Sequence, residues 1–237
     1  MEVVRLTYWP LPRNLVEARF VERKNRFVAL VTLDGREVSV HVPSSGRMGE
    51  LLVPGAVVYL APSGVAGRRT AFTLLLVEYG GILVSVDSLL PNRLLYRALQ
   101  RGELPEFAGY TGVRREFPYR EGRMDFLLAG DRGRCLVEVK SVTLVERGEA
   151  RFPDAPSQRG VRHLEELALA RGEGYRAAVV FVVQREDGEY FTPNDGCDPL
   201  FGRALRRAYQ SGVEVYALGC RVEMHGVTLY GSMPVYL

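Results

Sequence analysis

Arg123-Met124-Asp125-Phe126-Leu127-Leu128, a Gly130-Asp131-Arg132-Gly133 turn and then Cys135-Leu136-Val137-Glu138-Val139-Lys140-Ser141 is the stretch whose reading decides the fold. Two apolar runs of strand length joined by a Gly-bounded turn predict a β-hairpin. Side chains alternate along a strand, so Glu138 and Lys140 share one face of the second run. Pairing of the two strands brings Asp125 toward Glu138. Two carboxylates and an ammonium then converge on a surface that is otherwise apolar, and burying them needs a reason.

One reason is an ordinary ion pair on a half-exposed strand. Against it stands the choice of lysine, because Lys24 and Lys140 are the only lysines among 31 basic residues and every other one is an arginine. Lysine does what guanidinium cannot: it is a compact point charge that can give up and regain a proton when partly buried. Lys140 therefore reads as a working residue.

An acid, then acid-x-Lys on the following strand, resembles the signature of the PD-(D/E)XK nuclease superfamily, here Asp125 with Glu138-Val139-Lys140. Other segments carry a narrower resemblance. Ser45-Gly46-Arg47-Met48-Gly49-Glu50-Leu51, Phe152-Pro153-Asp154-Ala155-Pro156-Ser157 and Arg159-Gly160-Val161-Arg162-His163-Leu164 are similar to the sugar fermentation stimulation protein family over nearly the whole chain. One departure is Ser44-Ser45, where the family tends to carry Asn-Thr. The resemblance implies an N-terminal OB-like barrel, a nuclease-like C-terminal α/β domain, and DNA binding without strong sequence preference.

Length and composition agree with a soluble globular protein. The 237 residues are 47% hydrophobic and 25% charged, enough to bury a core in one large or two small domains. The longest apolar runs, such as 71–77 and 177–183, are far too short to span a membrane, and the first residues carry no secretory signal. A cytoplasmic location is expected. Cys135, Cys197 and Cys220 show no zinc or disulfide spacing and read as buried thiols. A formal net charge of +3 is compatible with a nucleic-acid partner without requiring one. A homodimer stays open.

The chain changes character near residues 78–83, dividing into a barrel domain (1–82) and a nuclease-like domain (83–237). Before the change, five short strands are expected at 15–22, 26–33, 36–42, 57–61 and 70–78, with Asp34-Gly35 as a type I′ hairpin turn. An OB-fold fits that count, and an SH3-like barrel is the alternative. After it, helices at 92–101, 158–171 and 199–211 alternate with strands at 114–117, 124–128, 135–141, 175–184 and 213–218, which predicts a mixed sheet with helices on its faces. Ser157 is the expected cap of the second helix.

The chemistry follows from what phosphodiester hydrolysis needs. A divalent ion, Mg²⁺ or Mn²⁺, would be held by Asp125 and Glu138 with the Val139 carbonyl, and would stabilise the charge that builds on the phosphate. Lys140 would orient or deprotonate the attacking water. Glu116 is a candidate extra acid, or else a solvated charge beside Arg114 and Arg115. Arg159, Arg162 and His163 stand at helical spacing behind a helix N-terminus and could hold a DNA phosphate; the alternatives are that Arg159 and Arg162 pair with Glu165 and Glu166 and that His163 is a satisfied core histidine. Asp154 most plausibly sits in a loop over the site. In the barrel, Arg26, Arg47 and Arg68 are candidate phosphate contacts, and Phe20 and Phe27 read first as core and second as stacking platforms. Single-stranded or duplex DNA is the expected partner. The competing reading keeps the same scaffold as a non-catalytic DNA-binding regulator or accessory of sugar metabolism. No Gly-rich nucleotide loop supports a sugar-metabolising enzyme.

Overall fold

The computed structural model describes residues 7–63 and 70–237. Arg68, and with it the expected phosphate contact, lies outside the described residues. A short strand β1 (Tyr8–Pro10) leads into the barrel, built from β2 (Val16–Asn25), β3 (Val28–Leu33), β4 (Arg36–His41), β5 (Val57–Pro62) and β6 (Phe72–Tyr79). The sheet order is β4-β3-β2-β5-β6 and a parallel bridge between His41 and Thr73 closes it, which is the OB arrangement. Asp34 and Gly35 both take positive φ (50° and 74°), as a type I′ turn between β3 and β4 requires. Inward residues fill the barrel: Phe20, Val31, Val40, Val58, Leu60 and Leu74 are all buried.

β7 (Ile82–Ser85) pairs with β6 and carries the barrel sheet toward the second domain. Helix α1 (Leu90–Arg101) follows; its Leu90, Leu94, Leu95, Ala98 and Leu99 form one apolar stripe, and Gly102 ends it in the left-handed conformation. Strands β8 (Tyr110–Tyr119), β9 (Gly122–Gly130) and β10 (Gly133–Val142) form an antiparallel meander. A small separate sheet comes next, from β11 (Leu144–Glu146), β12 (Glu149–Phe152) and, later, β14 (Tyr190–Pro193). Helix α2 (Gln158–Gly172), strand β13 (Arg176–Val183), helix α3 (Pro199–Gln210), β15 (Glu214–Glu223) and β16 (Gly226–Met233) complete the chain.

The main sheet runs β1-β16-β15-β13-β10-β9-β8, with β10, β13 and β15 parallel and the outer strands antiparallel. Its two faces are covered by different helices. Val137, Val139, Ala178 and Val180 look toward α1, whereas Leu136, Val142, Val179 and Phe181 look toward α2 and α3. Expected elements are present at 158–171 and 199–211 almost residue for residue, and Ser157 does cap α2, its Oγ accepting from Gly160 N–H at 3.0 Å. The cysteine reading needs one correction: Cys135 and Cys220 are buried, but Cys197 is only partly so.

Several contacts among the described residues join the barrel to the large sheet. Leu76 of β6 packs into the α1-side core of the large sheet. Ser85 N–H donates to the Gln184 carbonyl at 3.1 Å, and the buried Gln184 amide in turn reaches Ser141 Oγ at 2.8 Å and the Asp87 carbonyl at 3.2 Å. Asp154, after β12, accepts from Met48 N–H of the barrel at 3.0 Å. A Cβ at Gly46 would lie 2.7 Å from the same carboxylate, so glycine there is what lets the loop close on Asp154.

Candidate active site

β10 is the central support. Its neighbours β9 and β13 hydrogen-bond it on either side, so alternation along it is enforced and Glu138 and Lys140 both emerge toward α2. Both are buried, with 3% and 9% of their surface exposed. The Lys140 ammonium donates to Glu138 Oε1 at 2.6 Å. His163, one turn into α2 and fully buried, places Nδ1 on the same oxygen. Arg159 Nε–H donates to His163 Nε2 at 3.3 Å, which leaves Nδ1 as the ring donor to Glu138.

Glu138 Oε1 is thus saturated by two donors. Oε2 of the same carboxylate is buried with no hydrogen-bond partner among the described residues. Burial alone would raise the Glu138 pKa, yet Lys140 and His163 outweigh it and hold it down to about 2. Asp125 stands across from it on β9. Val139 N–H donates to Asp125 Oδ2 at 2.7 Å and Asn92 Nδ2 of α1 to Oδ1 at 2.6 Å. Burial first, and then the Glu138 charge, push the Asp125 pKa up to about 7, against these two donors. The pair therefore carries a second negative charge at neutral pH only at a cost, and that cost is what a cation would remove.

Among the described residues no group of three or more His, Cys, Asp or Glu side chains is arranged to hold a metal. What the site offers is two carboxylates, one with a bare buried oxygen, and the adjoining backbone. That donor set fits a hard cation that keeps several waters, of the Mg²⁺ kind, and fits a closed protein cage poorly.

The other sequence-predicted residues fall in several places. Glu116 is exposed on β8 and reaches only Arg123, at 4.0 Å, outside the buried cluster. Arg162 is exposed and faces the buried Glu166 at 3.7 Å, while Arg159 keeps its two terminal nitrogens without a partner among the described residues. His163 is displaced from its expected role, since a side chain 1% exposed with both ring nitrogens engaged has no surface to give a phosphate. Asp154 serves the domain contact described above. In the barrel, Phe20 is core at 3% exposed but Phe27 is 49% exposed, so the core reading holds for one and fails for the other. Arg26 and Arg47 are exposed, and their backbone carbonyls are gathered by the Arg23 guanidinium.

Sequence reasoning missed Asn92 and Asp198. Asp198 accepts both from Phe201 N–H, capping α3, at 3.0 Å and from Ser157 N–H at 2.8 Å, and so fixes the starts of α2 and α3 together. Its position just before Pro199 is an N-cap signal that was open to reading. Gly160 completes that junction, because a Cβ there would meet Phe201 at 3.1 Å.

The geometry agrees with comparisons against known proteins. Residues 89–226 match the profile described as the sugar fermentation stimulation protein RE domain, and residues 21–86 match the SfsA N-terminal OB domain. The chain belongs to the sugar fermentation stimulation protein family. A homologue from Desulforamulus reducens is 53% identical over 94% of this chain and 93% of its own length. One from Symbiobacterium thermophilum is 52% identical over 96% and 97%. The solved structure of Pyrococcus furiosus SfsA in complex with Ca²⁺ superposes with a TM-score of 0.89 at 32% identity, covering 98% of this chain and 99% of the other. The architecture of this SfsA family member is an OB barrel joined to a mixed sheet with helices on both faces. Among the described residues, no helix is long and apolar enough to cross a membrane.

Proposed function

We propose that this SfsA family member is a divalent-metal-dependent nuclease that hydrolyses phosphodiester bonds in DNA without strong sequence preference. The observation that carries the reading is the bare, buried Oε2 of Glu138 beside Asp125, a carboxyl whose pKa is pushed up to about 7. Asp125 and Glu138 would hold Mg²⁺ or Mn²⁺, which supplies charge neutralisation at the phosphate and an acidified water. The complex of the Pyrococcus furiosus relative with Ca²⁺ supports a hard-cation site on this fold.

The chain's own residues divide the work. Asn92 and the Val139 amide fix the Asp125 carboxylate. His163 and Lys140 bind one oxygen of Glu138 and so aim the other. The Lys140 ammonium, at 2.6 Å from Glu138, would orient the attacking water by donating a hydrogen bond to its oxygen. The free nitrogens of Arg159, at the mouth of the cluster beside the α2 N-terminus, suit a phosphate oxygen. Arg26 and Arg47 extend the cationic surface onto the barrel.

The test is Mg²⁺- or Mn²⁺-dependent cleavage of labelled single-stranded, duplex and branched DNA by wild type, Glu138→Gln and Lys140→Ala. Loss of roughly 10²- to 10⁴-fold in Lys140→Ala is expected, as for removal of a proton-transfer group. Wild type that binds these substrates with a steep salt dependence and cuts none of them with either metal would refute the catalytic reading.

A further inference from the structure

The tip of the β2–β3 hairpin presents an aromatic ring to solvent in a setting that packing does not explain. Phe27 is 49% exposed, although Ala29 and Val31, two and four residues further on, pack into the barrel core. Its position is held by the backbone. Phe27 N–H donates to Asn25 Oδ1 at 2.9 Å, closing an Asx turn, and its carbonyl accepts from Val42 N–H at 2.9 Å and lies 3.2 Å from His41 Nδ1. A rigidly presented, solvent-facing ring loses little entropy when something stacks on it.

Its surroundings are cationic. Lys24 and Arg26 flank it on the hairpin and both are exposed. The Arg23 guanidinium ties this tip to the neighbouring loop, donating to the carbonyl of Arg26 on one side and to those of Ser44, at 2.7 Å, and Arg47, at 3.0 Å, on the other. Arg47 is exposed on that loop. The same loop is the one Asp154 grips through Met48 N–H, and Asp154 lies just upstream of Ser157, which starts the helix carrying Arg159 and His163. A continuous set of bonded segments thus leads from Phe27 to the Glu138 cluster.

We propose that Phe27 is a base-stacking residue for single-stranded nucleic acid at the barrel tip, with Lys24, Arg26 and Arg47 taking the flanking phosphates. A ring ringed by cations matches unstacked bases on a polyanionic backbone. Duplex DNA offers no free base face, so the ring discriminates for strands that are open, frayed or unpaired. This rests on the DNA-binding part of the reading above and adds to it the form of the substrate.

The experiment measures binding of labelled oligo(dT) and of a duplex to wild type, Phe27→Ala, Phe27→Trp and Arg26→Ala by fluorescence anisotropy over a range of salt, with Ca²⁺ present. Phe27→Ala should weaken oligo(dT) binding roughly 10- to 100-fold, leave duplex binding unchanged, and leave the salt slope unchanged. Phe27→Trp should restore oligo(dT) affinity, and its indole emission, read against the single native Trp9, should quench on binding. Arg26→Ala should lower the salt slope toward one phosphate fewer, by about 0.7 for a single strand. If Phe27→Ala binds oligo(dT) like wild type while wild type binding stays salt-dependent, the stacking role is overturned and DNA binding stands. If wild type binds neither substrate, both are overturned.

Discussion

Replacing Asp125 with Asn should stabilise the metal-free protein at alkaline pH while abolishing its response to divalent cations. In the native site the Asp125 pKa is moved from 3.8 to about 7, chiefly by burial and then by Glu138. A carboxyl whose folded pKa exceeds its unfolded value favours the fold fully below the unfolded value. It loses that contribution as pH rises through the folded one. With about 1.4 kcal/mol per pKa unit, the loss is on the order of 4 kcal/mol at pH 8 and about 1.5 kcal/mol at pH 5. Asparagine keeps the shape and carries no such titration. Its oxygen can keep the Val139 N–H bond, and its amide faces Asn92, whose own side-chain amide can turn over to present an oxygen because Asp125 is its one side-chain partner. Measured against the protonated carboxyl, the exchange of one neutral group for another costs about 1 kcal/mol at either pH. The stability of Asp125→Asn relative to wild type should therefore rise by about 2.5 kcal/mol between pH 5 and pH 8, roughly 5–10 °C in melting temperature for a chain of this size. Melting followed by intrinsic fluorescence in EDTA measures it, and a second series with excess Ca²⁺ or Mg²⁺ should raise the wild-type melting temperature and leave the variant where it was. A variant whose offset from wild type is the same at both pH values would refute the assignment of the titrating carboxyl. One that still gains stability from the cation would refute its role as a ligand.

His163→Ala should lower cation affinity or cleavage about 10- to 100-fold, as loss of an outer partner of a metal ligand does. Calorimetric titration with Ca²⁺, with far-UV circular dichroism as the folding control, checks it, and unchanged affinity together with unchanged cleavage would return His163 to a purely structural role. Phe201→Ala removes a fully buried ring that packs on Phe152 at 5.1 Å and Phe181 at 6.4 Å between centroids. It should cost about 3–5 kcal/mol in denaturant unfolding, and a cost below 1 kcal/mol would show that the junction of α2 and α3 does not hold the site together.

The features legible in the sequence are those carried by one chain segment at a time. The hairpin of β9 and β10, the alternation that pairs Glu138 with Lys140, the Asp34-Gly35 turn and the Ser157 cap are all local, and the structure shows each of them. Elements too short to show a period were not legible: β1, β11, β12 and β14 have three or four residues each, and β1 and β14 gain their hydrogen bonds from distant partners. β16 is longer, but its pairing with β15 is broken by a bulge at Gly219/Cys220, and glycines at both 226 and 231 mask the alternation. The choice between the two readings of His163 and of Phe27 stayed open for a related reason. Helical spacing groups Arg159 with His163, yet only the position of β10 beneath α2 decides that His163 points in. Alternation assigns Phe27 to a strand, and only the Asx turn at Asn25 decides that it points out.

Glu138 distinguishes this site from an ordinary buried ion pair. A pair kept for stability would satisfy both carboxylate oxygens, because a buried polar atom without a partner costs about 1–3 kcal/mol and a charged one more. Here two donors crowd onto Oε1 and none reaches Oε2. Bare buried carboxylate oxygens also occur at Glu50 and Glu166, but the Glu50 carboxyl is shifted upward by its burial, toward the neutral form, and Glu166 has Arg162 beside it. Glu138 is held firmly ionised, and it is the one of the three that faces a second carboxyl on the next strand. His163 and Lys140 keep it charged, while Asp125 resists ionising beside it. Those opposed demands would be relieved together by one event, the arrival of a small hard cation between the two carboxyl groups.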